Sequence, residues 1–135
     1  HLVPIVVEKA LNGDTFTING DDYETKDGTC ERDYTHVADI ASAHVAALNY
    51  LFDGGAGGIF NIGGGSSSSI KEVVAEVEKQ LDITIDTEVG PKREGDPDKT
   101  SANVNWALEE FGWESAYTLE DIVKDEIAYQ QSQQK

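Results

Sequence analysis

The chain has 135 residues, 39% of them hydrophobic, and this length and composition suit one globular domain with an apolar core. Its 26 acidic and 10 basic residues give a formal net charge of -16, which repels nucleic acid backbones and anionic membrane surfaces. No apolar run reaches the roughly 18 residues of a membrane span. The single cysteine, Cys30, has no partner for a disulfide or a metal site, and this cysteine usage fits a cytoplasmic protein.

The first third of the chain predicts a helix, a strand and a long polar loop. Apolar residues recur at helical spacing around Pro4, and Gly13 ends the run. The residues of this apolar face are Val3, Val6, Val7, Ala10 and Leu11. A short strand is predicted over 16–18, and the polar loop that follows leads through Arg32 into a second short strand over 34–37.

The middle of the chain predicts a helix followed by a buried strand. Asp39 is the predicted cap of the helix, and the glycine cluster 54–58 ends it. Its predicted inward face consists of Ile40, Ala43, Ala47, Leu48 and Leu51. The apolar run 58–62 then has the length and composition of a buried strand.

The last part of the chain predicts three helices and one strand. Ser69 and Glu72 form a capping-box pattern at the start of the first helix, and apolar and polar residues alternate over 83–89 as in a half-buried strand. A short helix over 104–111 ends at Gly112, and a final helix starts near Thr118. The alternation of helices and strands indicates an α/β fold with a small mixed sheet.

The segment 63–68, Gly-Gly-Gly-Ser-Ser-Ser, lies close to the dinucleotide-binding pattern G-x-G-x-x-G but has Ser68 at the third glycine. Such a loop also needs an acidic residue at the end of the next strand, whereas Asp86 lies in the middle of the predicted strand. We therefore favour a flexible loop that leads into a capped helix over a cofactor-binding loop.

Arg32 is the first candidate for binding an anion, because a guanidinium offers a phosphate two parallel hydrogen bonds and stays charged. The alternative is that Arg32 pairs at the surface with Glu31 or Asp33. His36 and His44 are candidate general bases, but a packed or exposed structural histidine is the more common reading at such positions.

Several segments together resemble the UDP-glucose 4-epimerase family, which consists of extended short-chain dehydrogenases/reductases. The first is His-Leu-Val-Pro at 1–4, and the most specific is the polar loop 22–29 followed by Arg-Asp-Tyr-Thr-His-Val at 32–37. Lys-Arg-Glu-Gly-Asp at 92–96 and Glu-Glu-Phe-Gly-Trp at 109–113 resemble two further motifs of the family.

The resemblance implies that the chain is the carboxyl-terminal part of an NAD(P)-binding Rossmann-type enzyme. Residues 1–135 would form its nucleotide-sugar-binding domain, and the amino-terminal NAD-binding domain would lie outside this chain. The chain contains no methionine, which also suggests a piece of a larger protein. The parent enzyme is expected to be a homodimer without nucleic acid or membrane partners.

The resemblance also assigns roles to six residues in binding a UDP-sugar. Leu2 would offer a backbone contact near the pyrophosphate, Arg32 and Arg93 would clamp the diphosphate, and Asp96 would bind the ribose. Asn19 stands where the family usually has a phenylalanine beside the uracil. Thr100 stands where a bulky tyrosine is associated with excluding N-acetylated sugars.

The reaction of the family inverts C4 of the hexose through a 4-keto intermediate, with NAD taking and returning the hydride and a Tyr-x-x-x-Lys pair handling the proton. No tyrosine in this sequence has a lysine four residues later, so we expect the isolated chain to be inactive, with no catalytic residue of its own. Two alternatives remain: the same region of a related sugar-nucleotide dehydratase, decarboxylase or reductase, and a non-enzymatic module that binds nucleotide sugars or mediates assembly.

Overall fold

The computed structural model describes residues 1–133, and in this part of the chain five helices and four short strands form an α/β structure. The helices are α1 (Leu2–Asn12), α2 (Val37–Phe52), α3 (Ile70–Leu81), α4 (Asn105–Phe111) and α5 (Leu119–Gln133). The strands are β1 (Phe16–Asn19), β2 (Glu31–Arg32), β3 (Ser68–Ser69) and β4 (Thr87–Gly90).

The four strands pair as two small ladders of opposite type. β1 pairs with β4 in parallel, with Phe16 opposite Thr87 and Asn19 opposite Gly90. β2 pairs with β3 antiparallel, with Glu31 opposite Ser69. On its other edge β2 bonds to the segment 98–100, since the Glu31 N–H donates to the Asp98 carbonyl at 2.8 Å. The predicted small mixed sheet is therefore present in two separate pieces.

The main core lies where α1, α3 and α5 pack on one another and on β1. Its apolar residues are spaced as helical faces, which is why the sequence predicted these three helices correctly. The fully buried members are Val6, Val7, Val73, Val77 and Val123. A second, smaller core lies between α2 and α4 and contains Ala43, Ala107 and Trp113.

Local capping residues set the ends of most helices as the sequence predicted. Ser69 Oγ accepts from the Glu72 N–H, and the Glu72 carboxylate accepts from the Ser69 N–H, which completes the capping box of α3. Thr118 and Asp121 exchange the same pair of bonds at the start of α5. Gly13 and Gly112 adopt the left-handed conformation that ends α1 and α4.

The predicted strand over 34–37 is wrong, and so is the assignment of Asp39 as the cap of α2. Residue 37 already begins the helix, because His36 Nδ1 accepts from the Ala38 N–H at 3.0 Å and acts as the cap. Asp39 is instead buried, and its carboxylate accepts from the N–H groups of Ala116 and Tyr117.

The predicted buried strand over 58–62 is also wrong, since this segment carries no strand and Ile59 is 88% exposed. An extended segment becomes a strand only when another strand lies beside it, and none does within residues 1–133. Ile40, Leu48 and Leu51 of α2, predicted to face inward, are about half exposed. The strand predicted over 83–89 is shifted to β4, and three of its four residues are exposed.

None of the helices within residues 1–133 is long and apolar enough to cross a bilayer.

Candidate functional site

The two arginines of the sequence line the same cavity, which has a volume of about 430 Å³. It lies between the start of α1, the end of β1, strand β2 and the loop after β4. Five of the six predicted binding residues line it: Leu2, Asn19, Arg32, Arg93 and Asp96. The sixth, Thr100, lines an adjoining cavity of about 240 Å³, and the two cavities have Arg32 and Asp33 in common.

The pairing of β1 with β4 explains how distant residues meet at this cavity. Asn19 lies opposite Gly90 at the end of the ladder, and the Gly20 N–H donates to the Gly90 carbonyl at 3.0 Å. The chain then leaves β4 into a turn in which the Asp96 N–H donates to the Arg93 carbonyl. Arg93 and Asp96 are thereby delivered to the side of the molecule where β1 ends.

Arg32 is held by two hydrogen bonds and keeps donors free. Its Nη1 donates to the Glu31 carbonyl at 2.7 Å, and its Nη2 donates to Asp96 Oδ1 at 2.5 Å. A guanidinium has five N–H donors, so three remain after these two bonds. The side chains of Arg32 and Asp96 are 24% and 29% exposed. The alternative that Arg32 pairs with the carboxylate of Glu31 or Asp33 is wrong.

Tyr23 contacts Asp96, although the sequence did not point to Tyr23 as a site residue. Its side chain is 3% exposed, and its hydroxyl lies 3.5 Å from Asp96 Oδ2. Burial and the Asp96 charge raise the pKa of Tyr23, which keeps the hydroxyl protonated at neutral pH. The ammonium of Lys92 lies 4.0 Å from the centre of the Tyr23 ring. A tyrosine between acidic residues in a polar loop was the only available signal.

The titratable side chains Cys30 and Tyr34, which line the cavity, have little capacity for proton transfer. Burial raises the pKa of the Cys30 thiol, although the neighbouring Arg32 charge opposes the shift. Burial also raises the pKa of Tyr34. Both groups are therefore protonated at neutral pH and are poor bases or nucleophiles. Within residues 1–133, no group of three or more His, Cys, Asp or Glu side chains could hold a metal ion.

The two candidate histidines lie outside this cavity. His36 is buried and stacked on Tyr117 with ring centres 4.2 Å apart, and its Nε2 lies 3.1 Å from Asp125 Oδ2. It borders a larger cavity of about 730 Å³ that contains neither arginine. His44 is exposed on α2, with Nδ1 2.7 Å from the Ile40 carbonyl. Both have the structural roles that the sequence favoured.

Two N–H groups of the glycine-rich loop 63–68 are bonded within the chain. The Gly64 and Gly65 N–H groups donate to the carboxylate of Asp33, and Ser67 donates to Glu31. These three donors are therefore not available to a dinucleotide phosphate. The loop leads into the capped helix α3, as predicted, and its Gly64 and Gly65 are tied to Asp33.

The sequence of this chain is similar to a known protein family. The sequence model of the NAD dependent epimerase/dehydratase family matches residues 1–63. A UDP-glucose 4-epimerase from Halalkalibacterium halodurans is 42% identical over 126 residues, which cover 92% of this chain and 38% of that protein.

Two solved structures extend the likeness to the fold. A UDP-glucose 4-epimerase from Stenotrophomonas maltophila, solved with NAD and formylated UDP-arabinopyranose, matches 99% of this chain and 40% of its own with a TM-score of 0.95 and 34% identity. The UDP-Glc/GlcNAc 4-epimerase from Campylobacter jejuni matches 97% of this chain and 40% of its own with a TM-score of 0.88 and 38% identity. This chain thus spans about two fifths of the length of the relatives that it matches.

Proposed function

We infer the function from a family relationship: the chain is a relative of the UDP-glucose 4-epimerases over nearly its whole length, and its residues 1–63 match the model of the NAD dependent epimerase/dehydratase family. We propose that it forms the UDP-sugar-binding domain of such an enzyme. The parent would interconvert UDP-glucose and UDP-galactose, as an isomerase that acts through a 4-keto intermediate.

The observation that carries this proposal is the position of the two arginines. In a chain with a net charge of -16, a bound diphosphate needs a local concentration of positive charge. Arg32 and Arg93 are 61 positions apart in sequence (93 - 32) and yet line one cavity. The three unused donors of Arg32 are suited to the non-bridging oxygens of a diphosphate.

The remaining residues of the cavity suit the other parts of a UDP-sugar. Leu2 opens α1, and His1 before it makes no side-chain cap, so the N–H groups of Leu2 and Val3 would be available to a phosphate oxygen. Asp96 uses part of its acceptor capacity on Arg32 and Tyr23, and the rest is available to ribose hydroxyls. Asn19 would lie beside the uracil with an amide in place of a ring.

NAD would supply hydride transfer in the parent enzyme and would be bound by an amino-terminal domain outside this chain. The glycine-rich loop of this chain does not supply that site, because Asp33 occupies the N–H groups of Gly64 and Gly65. We therefore assign no redox step to this chain. Its residues would bind the UDP moiety and thereby orient the sugar. The parent would be a homodimer in the cytoplasm.

The loop 22–29 favours an epimerase over a related dehydratase, decarboxylase or reductase, in which this insertion is generally missing. Here the loop places Tyr23 against Asp96, and Asp27 accepts from Thr29 and Ser69. The insertion is therefore built into the proposed ribose site. A non-enzymatic module has no specific observation in its favour.

Calorimetric titration of the 135-residue chain tests the proposal. UDP and UDP-glucose should bind with similar affinity, and glucose 1-phosphate should bind much more weakly because it lacks the uridine and one phosphate. A coupled assay with added NAD should detect no conversion of UDP-galactose. Binding of glucose 1-phosphate as tight as that of UDP, or turnover above the no-protein control, would refute the assignment.

A further inference from the structure

Arg32 lies between two acidic residues in sequence, and the fold directs both of their carboxylates to other partners. The buried Glu31 carboxylate accepts from Ser67 Oγ at 2.7 Å and lies 2.9 Å from Lys99 Nζ. The Asp33 carboxylate accepts three backbone N–H groups. Neither carboxylate neutralises the guanidinium between them, although adjacent opposite charges would otherwise attract.

The contacts of Asp33 join two separate segments. Its Oδ1 accepts from the Gly64 N–H at 2.7 Å, and its Oδ2 accepts from the N–H groups of Gly65 at 3.1 Å and Ala102 at 3.0 Å. Hydrogen bonds from backbone N–H groups to a carboxylate are charge-assisted and stronger than neutral ones. The glycine-rich loop thus binds the Asp33 carboxylate of the same chain through its Gly64 and Gly65 N–H groups.

The approach of this loop to Asp33 requires glycine. A Cβ at Gly63 would lie 2.7 Å from Asp33 Oδ2, and a Cβ at Gly64 would lie 2.9 Å from Asp33 Oδ1. Both distances are too short for ordinary contact, so a side chain at either position would push the carboxylate away. These close contacts account for glycine at positions 63 and 64.

Asp33 lines all three of the cavities described above. It lines the cavity of Arg32 and Arg93, and it lines the adjoining cavity that contains Thr100. Through Ala102 it fixes the segment that carries Thr100, whose own N–H donates to the Glu31 carbonyl at 3.0 Å. One carboxylate therefore links the arginine side of the site to the threonine side.

We propose that Asp33 is a positioning residue of the UDP-sugar site: its carboxylate, held by Gly64, Gly65 and Ala102, fixes Arg32 relative to the segment of Thr100 and keeps its own charge away from the guanidinium. This inference rests on the proposed function. It assigns to Asp33 and to the glycine-rich loop a shared task that neither motif suggests alone.

The variant Asp33→Asn distinguishes the positioning role of Asp33 from the effect of its charge alone, because the two predict opposite changes in UDP affinity. Removal of a negative charge near a bound diphosphate should strengthen binding if charge alone matters. An Asn amide offers one acceptor oxygen in place of two and turns an NH₂ group toward N–H donors, so loss of positioning should weaken UDP binding by about tenfold. Asp53→Asn, at an exposed residue with the same loss of charge, is the matched control and should bind UDP as the wild type does.

Gly64→Ala attacks the same contact from the loop side without changing charge, and it keeps the test valid if Asp33→Asn folds poorly. Both variants should weaken UDP binding in calorimetry, and the double variant should lose no more than either alone, as expected for one shared contact. Uridine, titrated by NMR, should bind all variants equally, whereas a general loss of structure would weaken uridine as well. Amide exchange at Gly64, Gly65 and Ala102 should accelerate in Asp33→Asn.

UDP binding by Asp33→Asn that is as tight as the wild type, or tighter, overturns this inference and leaves the proposed function intact. An equal loss of uridine and UDP affinity overturns it as well, since Asp33 would then support only the general structure. A wild-type chain that binds no UDP refutes the proposed function itself.

Discussion

Replacement of Arg32 by alanine should remove most of the affinity of this chain for UDP. Arg32 Nη1 and Nη2 are anchored on the Glu31 carbonyl and on Asp96, which fixes the plane of the guanidinium without using all its donors. A fixed planar fork is the form in which arginine binds phosphate well. Alanine would remove the donors and would also leave the Asp96 carboxylate without its counter-charge beside the diphosphate.

The size of the loss follows from the number of bonds and their exposure. Two hydrogen bonds from a charged donor contribute about 1.5 to 3 kcal/mol each. The Arg32 side chain is 24% exposed, so water can replace part of the lost interaction. We expect a net loss of about 3 kcal/mol, which is roughly a 100-fold increase in Kd. Arg32→Lys keeps the charge but loses the fork, and we expect a loss of about tenfold.

Isothermal titration calorimetry with UDP at low salt measures this directly. Lys124→Ala, at an exposed lysine on α5, removes the same charge away from the cavity and serves as the control. Thermal unfolding of each variant, followed by circular dichroism, separates lost binding from lost structure. An Arg32→Ala chain that binds UDP within about threefold of the wild type, or a Lys124→Ala chain that loses as much affinity, would refute the assignment of Arg32.

Three further predictions concern acid stability, sugar size and the apolar surface. Hydrogen bonds from Ser67 and Lys99 lower the pKa of Glu31, so the ionised carboxylate stabilises the fold fully above its usual pKa of about 4.5, and this stabilisation is lost as the pH falls through the lowered pKa. Glu31→Gln should therefore lower Tm at pH 7, and the difference in Tm from wild type should shrink toward pH 3. Thr100→Tyr should weaken binding of UDP-N-acetylglucosamine more than that of UDP-glucose in paired titrations, because the tyrosine ring would fill the adjoining cavity. Equal losses of affinity for the two ligands would mean that Thr100 does not select for sugar size. Leu48 and Phe52 on α2 are 50% and 79% exposed, so the chain should self-associate at high concentration in size-exclusion chromatography. The double variant Leu48→Gln, Phe52→Gln should self-associate less, and a wild-type chain that stays monomeric at every concentration would contradict this prediction.

Local signals in the sequence predicted the helices well. The capping box at Ser69 and the glycine at 112 act within one turn of the chain, so their effect can be read from spacing alone. The apolar periodicity of α1, α3 and α5 also has one interpretation, because each buries a single face against the others.

The errors arose where a tertiary partner decides the outcome. Residues 34–37 have the composition of a strand, but the His36 ring caps α2 instead. The run 58–62 has the composition of a buried strand, but it has no neighbouring strand within residues 1–133. Asp39 has the character of a cap, but it is a buried acceptor for N–H groups 77 and 78 residues away.

The candidate site came from family resemblance, and its internal contacts came from the structure. Arg32 and Asp96 are separated by 64 residues, and no spacing rule predicts their ion pair. The same is true of the tie between Asp33 and Ala102, 69 residues apart. Only the pairing of β1 with β4 and of β2 with its two neighbours brings these segments together.

A structure of the chain in complex with UDP-glucose tests the central claim most directly. We expect the diphosphate within hydrogen-bonding distance of Arg32 and Arg93 and of the first N–H groups of α1, with the ribose at Asp96 and the sugar toward Thr100. UDP-glucose bound in the larger cavity beside His36, or at any site that contacts neither arginine, would contradict the account.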